Sequence, residues 1–141
     1  MSSIIAADFS YVRPRGREEL LELMAAHPDV DAIVYLGIGI QASQGQMFRR
    51  GPFWPEHGLE RIGSFHESQD RRYAHAAAEA SQRHGKPILI ASDLVYTDRA
   101  YGNSGPLGVA ETGRITSPSG HRAIRTLAHM VRYARHRKRS A

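Results

Sequence analysis

Three features of this sequence predict an α/β domain built on a short parallel sheet. Residues 32–36 (AIVYL) and 88–91 (ILIA) are uninterrupted apolar runs, and both contain β-branched residues. Runs without polar alternation fit strands covered on both faces. Segments of helical periodicity lie before, between and after them, so strand and helix alternate along the chain. Strands separated by helices need crossover connections, which produce a parallel sheet with helices on both faces. A length of 141 residues suits one such domain with its own hydrophobic core.

Taken in order, residues 3–7 are a short apolar run suited to an edge strand. A helix is predicted from residue 16 to 26. Leu20, Leu21, Leu23 and Met24 give it an apolar face, Glu18 and Glu19 sit in the first turn where the dipole favours acids, and His27-Pro28 stops it. The strand over 32–36 ends at Gly37 and Gly39. Residues 41–66 read as a long irregular, aromatic loop centred on Gly51-Pro52-Phe53-Trp54-Pro55. A loop that long inside a compact domain has a function or some internal structure. A second helix over 67–84 presents Tyr73, Ala76, Ala77 and Ala80, a small-residue face suited to close packing on a sheet, and Gly85 ends it. Beyond the strand over 88–91, residues 93–106 read as loop, 107–112 as a short helix closed by Gly113, and 114–116 as a brief strand. Ser117-Pro118-Ser119 signals the start of the last helix, which carries Ala123, Ile124, Leu127, Val131 and Ala134 on one face. A three-layer, flavodoxin-like arrangement is the expected topology.

The net charge of +5 invites a nucleic-acid reading, but its distribution points elsewhere. Arg132, Arg135, Arg137, Lys138 and Arg139 hold five of the nineteen Lys and Arg residues, and no acid follows Glu111. The remaining fourteen bases balance the fourteen acids. Residues 1–131 therefore read as a neutral folded body and 132–141 as a basic tail, a solvated helix end whose cations suit the negative pole of the dipole. With Tyr133 as its one aromatic residue, the tail lacks the interleaving of a nucleic-acid binder. The chain has no cysteine, which excludes disulfides and thiolate metal sites. Its first residues lack the pattern of a signal peptide, and no apolar run approaches the roughly 20 residues of a membrane helix. A cytoplasmic protein is expected.

Three segments occur together in a recognisable order: ELLELMAAHPDVDAIVYLG (19–37), GKPILIAS (85–92) and ETGRITSPSGHRAIRTLAHMVRYAR (111–135). In them the chain resembles a CoA-ligase-type domain of the nucleoside-diphosphate-forming acyl-CoA synthetases, relatives of succinyl-CoA synthetase. The resemblance covers most of the chain outside 41–66. It implies a flavodoxin-like domain that packs on a phosphohistidine-bearing domain and helps to hold phosphate. It also implies CoA-binding and ATP-grasp domains or subunits as partners, in a homo- or hetero-oligomer. CoA and ATP or GTP belong to the full enzyme, and no permanently bound cofactor is expected here. The glycine-rich CoA-binding segment, the phosphorylated-histidine loop and the ATP-grasp module are all missing from this sequence. The resemblance therefore implies an accessory or truncated domain with no catalytic residue and no synthetase activity by itself. The alternative is a stand-alone flavodoxin-like module that binds a protein, or a small anion or nucleotide, without catalysis.

Gly37, Ile38, Gly39, Ile40, Gln41 and Ser43 are the candidate phosphate-binding residues. A glycine turn at the carboxyl edge of a parallel sheet is where α/β folds bind ligands, and a following helix offers free N–H groups to an anion. The plain alternative is a tight turn, since the third glycine of a dinucleotide fingerprint is absent. Asp93, at the same sheet edge, and Ser119 and His121, at the start of the last helix, are further possible ligand or partner contacts; an Asx turn at Asp93 and a helix cap at Ser119 are the simpler roles. The eight histidines show no metal-binding spacing, and no metal site is expected.

Overall fold

The computed structural model describes residues 3–8, 14–93 and 102–140. Along the chain run β1 (Ser3–Asp8), α1 (Pro14–Ala26), β2 (Val30–Leu36), α2 (Ile40–Arg50), α3 (Leu59–His84), β3 (Ile88–Ala91), α4 (Ser104–Glu111), β4 (Thr116–Ser117) and α5 (Gly120–Ser140). The four strands form one sheet in the order β1-β2-β3-β4, and every neighbouring pair is parallel. Ile33 stands beside Ile88 and Ile90 beside Thr116. The predicted small α/β domain with a short parallel sheet is therefore observed.

This order explains the placement of the helices. Right-handed crossovers that always step in one direction deliver their helices to one face of the sheet. Leu21 and Ala25 of α1, Tyr73, Ala74, Ala77 and Ala80 of α3, and Val109 of α4 close over Ile33, Tyr35, Ile88 and Ile90. The opposite face carries Val34, Leu36, Leu89 and Ala91, and Ala123 of α5 packs against it. Alternation within β2 and β3 thus feeds two unequal cores. A flavodoxin-like order, 2-1-3-4-5, contains a reversal. The four described strands run without one, because strand adjacency is set by which crossovers pack and not by any local pattern.

The long loop expected over 41–66 is instead mostly helical. Helix α2 occupies its first part, α3 begins at Leu59, and only 51–58 join them. Gly45 and Gly63 lie inside the two helices, where the lack of a side chain lets the helices cross closely. A Cβ on Gly45 would lie 2.8 Å from the carbonyl oxygen of Gly63. The Arg49 guanidinium grips Glu67 through two bonds of 2.7 and 3.0 Å and lies over the Trp54 ring. At 26 residues, α3 is about 39 Å long, far longer than the strands it crosses.

Smaller differences follow from caps. Part of the loop expected at 93–106 (residues 94–101) lies outside the described residues. Helix α4 starts earlier than the periodicity suggested, because the Asn103 side chain accepts the Gly105 N–H at 3.0 Å. The brief strand shifts to Thr116–Ser117, so Ser117 is a strand residue; Ser119 does cap α5, accepting the Arg122 N–H at 3.2 Å. The boundary drawn at 131/132 falls inside α5, which continues unbroken to Ser140. No helix among the described residues is long and apolar enough to cross a membrane.

Candidate functional site

At the end of β2 the chain turns through Gly37 (φ 87°) and Gly39 (φ 93°) into α2. Both angles lie in the left-handed region that side chains with a Cβ rarely adopt, so the two glycines take the special conformations their sequence position suggested. Helix α2 has no side-chain cap of its own at Gly39. Its first N–H groups would be orphans in need of an acceptor.

That acceptor comes from α3. The Ala42 N–H donates to Asp70 Oδ2 at 2.7 Å, across 28 residues of sequence. The carboxylate is 1% exposed, and the backbone at Gly39 and Gln41 also favours its charged form. Burial dominates even so and pushes Asp70 up to about 6, against the amides of Ala42 and Gly39 and the positive charge of Arg17, which pull it down. Its second oxygen, Oδ1, is buried without a hydrogen bond. Around it lie Tyr35, whose hydroxyl is pushed up by burial, and Arg17, whose guanidinium stands 5.0 Å over the Tyr73 ring. The Tyr73 hydroxyl donates to Gln69 Oε1 at 3.0 Å.

The other side of the turn is closed by the start of α4. Asn103 Nδ2 donates to the Gly39 carbonyl at 3.0 Å and to Ser43 Oγ at 3.1 Å, and Ser43 Oγ donates back to the Gly39 carbonyl at 2.8 Å. Gly105 fits so tightly that a Cβ on it would lie 2.6 Å from the Gly39 nitrogen. Gln41 Oε1 lies 2.6 Å from His66 Nδ1, and burial lowers the pKa of that imidazole. Ile38 is fully buried and belongs to the core. Of the six candidate phosphate-binding residues, then, Gly37, Gly39, Ile40, Gln41 and Ser43 already have partners within the chain: the Gly37 N–H donates to the Ala91 carbonyl and the Ile40 N–H to the Gly37 carbonyl.

The remaining candidates stay apart from this turn. Asp93 is exposed just beyond β3. Ser119 and the exposed His121 open α5 at the end of β4, and β3 separates β4 from β2, a span of about 10 Å. Helix α2 leaves the edge toward one face and α5 toward the other, so the sheet edge does not gather them into one pocket. Among the described residues, no group of three or more His, Asp or Glu side chains could hold a metal ion. A surface groove of about 740 Å³ lies between α1 and α3, away from the turn, and much of its charge is paired. Glu18 bonds Arg72, and Glu22 bonds both Arg83 and His84.

Asp70 and Asn103 are the residues that sequence reasoning passed over. Asp70 stands at helical spacing from Tyr73 and Ala77 on the apolar face of α3, and a polar residue on such a face is a signal of a buried bond. Asn103, followed by Ser104 and Gly105, is an ordinary cap signal that was absorbed into the expected loop. No family model, no curated protein and no solved structure matches this chain.

Proposed function

We propose that this chain is a non-catalytic α/β interaction module, which acts by docking on a partner and not by holding phosphate. The observation that carries this reading is the filled start of α2. A phosphate arriving there at neutral pH would meet the Asp70 carboxylate already bonded to the Ala42 N–H. Like charges at one helix start oppose each other. Asn103 and Gly105 close the approach to Gly39 from the other side. The donor set therefore does not fit the phosphate of CoA or of a nucleotide. On this reading those groups belong to the partner.

A flavodoxin-like build is part of the same proposal. Removing the outer second strand from the order 2-1-3-4-5 leaves four parallel strands in consecutive order, as observed here. The partner class follows from the resemblance in residues 19–37, 85–92 and 111–135: a CoA-binding or ATP-grasp domain or subunit of an acyl-CoA synthetase. Titration of the pure chain with CoA, ATP and acetyl phosphate in a calorimeter is the test. No saturable heat is expected from any of them. Saturable binding of one, lost in Gly39→Val, would overturn the proposal and restore the phosphate-holding accessory domain.

A further inference from the structure

Helix α5 carries seven Arg and Lys residues and three His residues, with no acid anywhere along Gly120–Ser140. Only Ala123 and Leu127 of it are buried. Residues 128–140 are exposed without exception. Among the described residues, none of the seven cations has an acid for a partner. As a loose tail these charges would be a diffuse cloud. As a continuous helix they form an array of fixed spacing on a rod about 20 Å long and about 10–12 Å wide.

We infer that the outer half of α5 is a docking element for duplex DNA, bound through its phosphates. This goes beyond the interaction-module reading and does not depend on it. Three observations select the occupant. First, the charge is of one sign and unpaired, which complements a polyanion. Secondly, the cations surround the rod. Arg122, Arg125, Arg132 and Arg139 lie opposite Ala123 and Leu127, whereas Arg137 and Lys138 fall on the apolar side. A helix lying in a lipid surface needs one side free of charge, and here Arg137 and Lys138 interrupt the arc of Met130, Val131 and Ala134. Thirdly, a major groove about 12 Å wide admits a single helix, with phosphates on both of its flanks. Arg and Lys on all sides of the last turns suit that geometry.

The test uses the full chain and a fluorescent mixed-sequence DNA duplex of about 25 base pairs, followed by anisotropy over a range of salt. Binding in the micromolar range at physiological salt is expected. With about four phosphates contacted, the logarithm of the binding constant should fall with the logarithm of salt at a slope of about −4. The variant Arg135→Gln/Arg137→Gln/Lys138→Gln/Arg139→Gln should bind at least about tenfold more weakly and show a much flatter slope. Its melting temperature should match that of the parent, since these side chains are exposed. A parent that fails to bind at low salt overturns the inference, whatever the variant does. So does a variant that binds like the parent, or a parent that sediments with phosphatidylserine vesicles and is not released by excess duplex.

Discussion

The two faces of the sheet use their polar residues in opposite ways. On the crowded face they are turned inward: Asp70 bonds the start of α2, Asn103 ties Gly39 to α4, and Gln69 holds the Tyr73 hydroxyl. On the sparse face α5 is the one helix among the described residues that covers the sheet, and its charges point outward with no acid among the described residues as a partner. Apolar groups are left open there as well. Ile115 is 80% exposed and Met130 48% exposed, and both line a groove of about 380 Å³ between α5 and the strands β3 and β4. One face holds the fold together, and the other is where a partner can add contacts that the chain lacks.

The largest expected effect tests that division directly. Tyr73 is fully buried on the crowded face, beneath the Arg17 guanidinium. Tyr73→Ala should cost about 4 kcal/mol in urea unfolding, the usual range for deleting a buried aromatic ring. Ile124→Ala on the sparse face, where the side chain is nearly half exposed, should cost less than about 1 kcal/mol. Equal losses from the two would erase the distinction between the faces.

Next in size is Gly39→Val. The φ of 93° resists a branched residue, and a Cβ there would lie 3.0 Å from Asn103 Oδ1. A loss of about 1–3 kcal/mol follows from backbone strain, with the displaced Asn103 adding to it. Combining the change with Asn103→Ala separates the two causes. Measured against Asn103→Ala alone, Gly39→Val should cost less by the relieved clash, while the backbone strain persists. If the single variant unfolds at the same urea midpoint as the parent, the turn is not strained.

Asp70→Asn gives an effect of similar size that depends on pH. The folded pKa of Asp70, about 6, lies above the ordinary 3.8. Between those values the native state binds more protons than the unfolded chain, so this group makes stability fall as pH rises through the window. The penalty at neutral pH is on the order of 3 kcal/mol, and below about pH 4 it vanishes. Glu22 and Glu111 act in the reverse sense, because hydrogen bonds from His84 and His75 lower them and the stability they contribute is lost in acid. Both are present in the variant too, so the parent-minus-variant difference isolates Asp70. That difference should change between about pH 4 and pH 7, with the variant relatively more stable at the higher pH. A difference that stays flat across this range would mean that Asp70 is not held as described.

These variants also show how far the sequence can be read. The buried strands were legible because they are apolar without alternation, and α1 and the second half of α3 were legible from their periodicity and stops. Gly37 and Gly39 were rightly read as a special turn. Helix α2 was not legible, since Gly45 looks like a breaker until its crossing with Gly63 is known. The filling of the turn was hidden for a similar reason. Asp70 and Asn103 lie 28 and 61 residues beyond Ala42, and only the crossing of α2, α3 and α4 brings them together. Strand order has the same non-local origin, as the consecutive order of the four described strands shows.

The smallest expected effect concerns the outer half of α5. In a chain stopped after Ala128, the described residues that are lost, 129–140, are all exposed. Helical packing, more than propensity, is what normally stabilises a helix in a protein, and these residues pack little: Met130 lines the groove beside β3 and β4 but stays 48% exposed. Removing them should therefore change the stability of the domain by less than about 0.5 kcal/mol. The helix signal in circular dichroism should fall by no more than the missing turns account for. Duplex binding should disappear in the same truncated chain. A melting temperature lower by several degrees would sharpen the comparison differently. It would mean that Met130, Val131 and Tyr133 are covered in solution, most simply by a second copy of the chain, and the loss should then depend on protein concentration. A loss independent of concentration would place the sparse face among the elements that hold the fold, and the separation between the two faces would fail.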